Sequence, residues 1–188
     1  MELKIKDPGS ALTHYIAMLA AMAAAAPLLV KAASVPGTMH LKALSVFIVS
    51  MILLYAASTV YHTFDISEHV NKLLRKIDHM MIFILIAGTY TPVCLIVLGN
   101  RSGYRMLSLV WGIAIVGIII NARWINSTKW FSSVIYIAMG WVCVMAIRQI
   151  VAALTPAAFA WLLAGGIIYT IGGVIYALKL PIFNSKHK

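Results

Sequence analysis

The sequence predicts an all-α fold, a polytopic bundle of transmembrane helices, on three observations. Of 188 residues, 62% are hydrophobic and 11% charged, with mean hydropathy +0.94. Soluble domains carry about 25% charged residues. The apolar residues gather into six runs, each of about 18 residues or more, enough for a helix to cross roughly 30 Å of hydrocarbon. Stretches such as Ala20-Ala21-Met22-Ala23-Ala24-Ala25-Ala26 are apolar on every side, whereas a membrane β-barrel alternates along each strand.

The runs follow in order within a single transmembrane domain, 1–188. Residues 1–10 are short, charged and polar, and the first run is 11–33, with Lys31 placed to snorkel at its end. Pro36-Gly37 turns the chain into the second run, 41–62. Residues 63–76 hold Asp65, Glu68, Lys72, Arg75 and Lys76 and read as a charged loop before the third run, 77–98. Gly99-Asn100-Arg101-Ser102-Gly103 is a turn. The fourth run is 104–122, closed by Arg123, and the fifth is 130–154, broken by Thr155-Pro156. The sixth is 157–178, before a polar tail from Lys179. Inside the third run Pro92 removes a backbone donor, so a kink is expected, with Thr89 and Thr91 able to satisfy freed carbonyls. The pairs Gly165-Gly166 and Gly172-Gly173 suggest close helix packing. Tyr104, Trp124 and Trp130 fit an interfacial belt.

The net charge is +10, from 15 basic and 5 acidic residues. In a soluble domain that balance suggests nucleic acid. Here the bases lie between apolar runs, so topology and anionic headgroups account for them, and no nucleic-acid partner is expected. Ten bases lie on the side of the N-terminus (Lys4, Lys6, Lys72, Arg75, Lys76, Arg123, Lys129, Lys179, Lys186, Lys188) and five on the other (Lys31, Lys42, Arg101, Arg105, Arg148). The expectation is a multi-pass cell-membrane protein with a cytoplasmic N-terminus. Cys94 and Cys143 lie inside apolar runs and read as small core residues, not a disulfide framework. No cleavable signal peptide stands out.

Ionisable groups are costly in lipid and each needs a reason. Ser58 and His62, four apart, share one helix face, and Asp78 opens the third run on the same side of the membrane. Antiparallel neighbours would bring all three together near one interface. An imidazole is the commonest protein ligand for zinc, and a nearby carboxylate can orient a metal-bound water. The plainer reading makes His62 an interfacial hydrogen-bonding group and Asp78 the N-cap of its helix. Spacing alone leaves both open, since catalytic zinc normally takes three protein ligands. His14 can face the same pocket. His79 points elsewhere by about 100° of helix, and His40 and His69 fall in loops.

The stretch Tyr55-Ala56-Ala57-Ser58-Thr59-Val60-Tyr61-His62-Thr63-Phe64 resembles the Ser-x-x-x-His motif of haemolysin III proteins. Lys76-Ile77-Asp78-His79 with Ile86-Ala87-Gly88-Thr89-Tyr90-Thr91-Pro92 is similar to that family's third-helix signature, and Asp7 to His14 resembles its N-terminal segment. The family is grouped with the progestin and adipoQ receptors, whose adiponectin receptors are linked to ceramide hydrolysis. The resemblance implies a seven-helix bundle with zinc near the cytoplasmic face. It makes His62 a metal ligand and places Ser58 and Asp78 beside the metal-bound water as catalytic residues. Two further ligands in relatives come from a His-x-x-x-His motif on a seventh helix. This sequence contains no such motif, so an incomplete zinc site and a truncation before that helix are expected. The function implied is a zinc-dependent hydrolase of a lipid amide or ester in the full-length form, with membrane lipid and a lipid substrate as partners. The alternative is a pore-forming or membrane-perturbing protein without catalysis. A ligand receptor is a third possibility that the short chain supports little. No oligomeric state follows from the sequence.

Overall fold

The computed structural model describes residues 5–123 and 129–178, and side chains at 129–131, 176 and 177 are outside that description. Lys4, Trp124, the side chains of Lys129 and Trp130, and the tail from Lys179 therefore lie outside it. The described residues are mostly helical, with no strand among them, and six helical segments are long and apolar enough to cross a membrane. The chain is an all-α polytopic membrane protein.

The helices are α1 (Pro8–Ala33), α2 (Met39–Thr63), α3 (Glu68–Pro92), α4 (Arg101–Arg123), α5 (Lys129–Trp141), α6 (Ile147–Ala153) and α7 (Pro156–Leu178). The chain forms two compact units, Met1–Ile125 and Asn126–Lys188.

In the first unit each helix packs on its neighbours in sequence: α1 on α2, α2 on α3, α3 on α4. Among the described residues α1 does not approach α4, so the four form an open row. The span Glu68–Leu98, which begins with α3, is the most buried of the six, with Phe83, Ala87 and Cys94 fully enclosed. Close packing depends on missing side chains. Gly88 lies against the Ser50 hydroxyl of α2, and Gly117 of α4 against the Phe83 ring.

The charged segment 63–76 is mostly helix, because α3 begins at Glu68, well before the apolar run at Ile77. Ser67 sits at the N-cap and its Oγ accepts from the Val70 amide at 3.3 Å. Lys72 pairs with Glu68 one turn away at 2.6 Å. A capped, charge-paired turn needs no lipid to be helical, so the start of the apolar run is not the start of the helix. The connection from α2 shrinks to four residues, 64–67, with Asn71 Nδ2 donating to Asp65 Oδ1 at 2.6 Å. His40 and His69, expected in loops, lie in the first turns of α2 and α3.

Pro92 ends α3, and the chain continues as a π-helix, Val93–Leu98, closed by Gly99 in the left-handed region. Thr89 Oγ1 donates to the Leu85 carbonyl at 2.8 Å and Thr91 Oγ1 to Ala87 at 2.9 Å, each one turn back along its own helix and neither at the Gly88 carbonyl that Pro92 leaves without its amide. Trp111 Nε1 of α4 donates to Thr91 Oγ1 at 3.2 Å, tying the two helices near the irregular turn.

In the second unit a 3₁₀ segment, Val142–Ala146, separates α5 from α6, and α5 packs along α7. Tyr169 Oη donates to the Tyr136 carbonyl at 2.7 Å. The expectation for the α7 glycines holds at one position only. A Cβ on Gly173 would meet the Ile137 side chain at 2.9 Å, whereas Gly165, Gly166 and Gly172 face open space.

Candidate functional site

The last two turns of α2 carry Ser58 and His62 one turn apart, and helical spacing puts them on one face. Asp78 lies about 15 Å along α3 from its start, three turns inside the helix. It cannot be the N-cap, since Ser67 holds that position. Its carboxylate turns toward α2 and accepts a hydrogen bond from Ser58 Oγ. Both partners are buried, with 5% of Ser58 and 7% of Asp78 exposed. A carboxylate enclosed in apolar helices is costly unless it is hydrogen-bonded, and Ser58 supplies a bond to one of its oxygens.

His62 is one turn further out, at the helix end, and its partners from outside α2 come from the start of α1 and the residue before it. Its Nδ1 is 3.1 Å from Asp7 Oδ2, with side chains 19% and 60% exposed. The His14 ring stacks on it at 5.5 Å between centroids and 20° between planes. Tyr61 flanks it at 4.8 Å in a tilted arrangement, and Lys6 Nζ lies 4.0 Å above the Tyr61 ring. The backbone reinforces the contact. The Asp7 amide donates to the His62 carbonyl at 2.9 Å and the Lys6 amide to Thr63 at 3.2 Å. The chain ahead of α1 is thus laced to the end of α2, satisfying carbonyls that the helix terminus leaves open.

The structure therefore brings Ser58 and Asp78 together, and places His62 one turn away with Asp7 and His14 around it. His14 lies against His62, on the side where the sequence placed it. Two residues were not singled out from the sequence. Asp7 lies in a polar segment, where a carboxylate draws no notice. Asn121 is buried near the end of α4. Lys76 Nζ donates to the neighbouring Ala122 carbonyl at 3.0 Å, and Phe83 packs at Gly117. These two contacts set the pairing of α3 with α4, and they put Asn121 at the depth of Asp78.

A zinc centre asks for three protein ligands. Among the described residues no group of three or more His, Cys, Asp or Glu side chains is disposed to hold a metal ion. His62 is the one ligand that the sequence pattern matches, and its Nδ1 faces Asp7. The described residues alone do not fit a three-ligand zinc site.

The sequence matches the family described as Haemolysin-III related over residues 3–186. It is 35% identical over 179 residues to the "Hemolysin-3 homolog" of Bacillus subtilis (strain 168), covering 95% of this chain and 84% of that protein. It is 37% identical over 179 residues to the "Hemolysin-3" of Bacillus cereus, covering 95% of this chain and 81% of the relative.

Proposed function

Because the chain belongs to the haemolysin-III related family, we propose that this multi-pass membrane protein is a hydrolase of a lipid amide or ester, ceramide-like in class. The single observation that supports this reading is the Ser58–Asp78 pair, a hydroxyl and a carboxylate held together inside an apolar bundle. Ser58 occupies one carboxylate oxygen of Asp78 and leaves the other for water. The carboxylate takes a proton from that water as its oxygen bonds to the substrate carbonyl carbon. The carbon–nitrogen or carbon–oxygen bond then breaks, and the proton passes to the departing amine or alcohol. Zinc belongs to the reading as a proposed cofactor with His62 as one ligand, and it would lower the pKa of bound water when present. The described residues alone supply too few ligands to hold it. The site lies on the cytoplasmic side in this reading, with the N-terminus and the α2–α3 connection.

The test is release of fatty acid from a ceramide-like lipid by the protein in proteoliposomes with zinc added. Asp78→Asn is expected to lower turnover by about 10²–10⁴-fold, the usual contribution of a general base. No turnover by the unmodified protein under those conditions retires the hydrolase. Ion leakage from the same liposomes that survives His62→Ala favours membrane perturbation, the activity that the relatives' names suggest.

A further inference from the structure

Asp7 stands at the N-cap of α1, where an aspartate ordinarily accepts a hydrogen bond from its own helix. Here its side chain makes no capping bond, and Pro8 occupies the first helical position, where a missing N–H costs nothing. The carboxylate instead reaches His62 Nδ1 at 3.1 Å, across to a residue 55 positions later in the chain. His14, two turns along the same face of α1, lies flat on the same ring at 5.5 Å. One helix face therefore grips the imidazole twice, by its edge and by its plane. Backbone bonds from Lys6 and Asp7 to Thr63 and His62 hold the gripping segment in register.

We propose that Asp7 is a positioning residue that fixes the tautomer and ring orientation of His62. A carboxylate can only accept at Nδ1, so the neutral imidazole keeps its proton there and presents the lone pair of Nε2 away from α1. His14 restricts rotation of the ring out of that plane. The proposal rests on the reading of His62 as a site residue and adds the element that aims it. It requires neither a bound metal nor turnover.

The experiment is nitrogen NMR of the full chain, labelled with ¹⁵N-histidine, in detergent micelles above the ordinary imidazole titration range. His62 is assigned by the signal lost in His62→Gln. The unmodified protein should show His62 Nδ1 in the protonated, pyrrole-like range and Nε2 in the unprotonated, pyridine-like range. Asp7→Ala should lose that assignment, with the two nitrogens exchanging character or averaging. Asp7→Asn, which keeps an acceptor oxygen, should retain it. A proton on Nε2 in the unmodified protein overturns the proposal, and so does an Asp7→Ala spectrum that matches the unmodified one. Should Asp7→Ala fail to fold, the unmodified and Asp7→Asn spectra decide by the same criterion. Absence of lipid hydrolysis with the Nδ1–H signature intact retires the hydrolase and keeps Asp7 in its role. Hydrolysis with the proton on Nε2 does the reverse.

Discussion

Asp78 carries a carboxylate into apolar surroundings, and Ser58 is the hydroxyl that meets it. Ser58→Ala leaves that oxygen buried without its donor, a loss of about 1–3 kcal/mol. Unfolding in mixed detergent should show a lowered midpoint for Ser58→Ala and recovery in Ser58→Thr, which keeps the hydroxyl. Equal midpoints for all three proteins would mean that water replaces the serine at no cost. Ser58, His62 and Asp78 were legible in the sequence because polar groups inside or beside apolar runs are rare and need partners. Asp7 was not legible as a partner of His62. The N-terminal segment is polar throughout, and nothing local shows that its carboxylate leaves its own helix cap for a ring on α2. Asn121 was hidden likewise, two residues from Arg123 at the end of a run.

Helix packing in the first unit turns on where a side chain is missing. A Cβ at Gly117 would press into the ring of Phe83, which is fully buried, while one at Gly112 on the same helix meets nothing within 4 Å. Gly112→Ala should gain up to about 1 kcal/mol, because alanine loses less backbone entropy in a helix. Gly117→Ala should lose about 1–3 kcal/mol through overpacking. Comparing thermal midpoints in one detergent reads the contrast, and the same sign at both positions would contradict the packing of Phe83 on α4. Sequence pattern gave six long spans, the number found among the described residues, since lipid demands sustained apolar length. It placed the start of α3 too late, although Ser67, Glu68 and Lys72 already spelled a capped helix start. It also overvalued the glycines of α7, because a small residue permits close approach without showing that a neighbour uses it.

At the scale of the whole molecule, the proposed orientation, with its excess of bases inside, puts the α2–α3 connection on the cytoplasmic side. Ile66, 65% exposed in that connection, and Ser34, after α1, should lie on opposite sides of the membrane. In a background with Cys94 and Cys143 replaced by alanine, an impermeant maleimide added to intact cells should label Ser34→Cys. Ile66→Cys should be labelled only after permeabilisation, and the reverse pattern would invert the topology. The open row of α1 to α4 has a consequence for biosynthesis. Neighbours in sequence are neighbours in space, and the described contacts of Asp7, His14, Ser58, His62 and Asp78 with one another all fall within the first three helices. Every one of those partners has been translated once Asp78 leaves the ribosome's catalytic centre, while the second unit has yet to be made. The order in which the ribosome delivers the chain therefore allows these helices to pair in turn, and the contacts described within this cluster need no later part of the polypeptide.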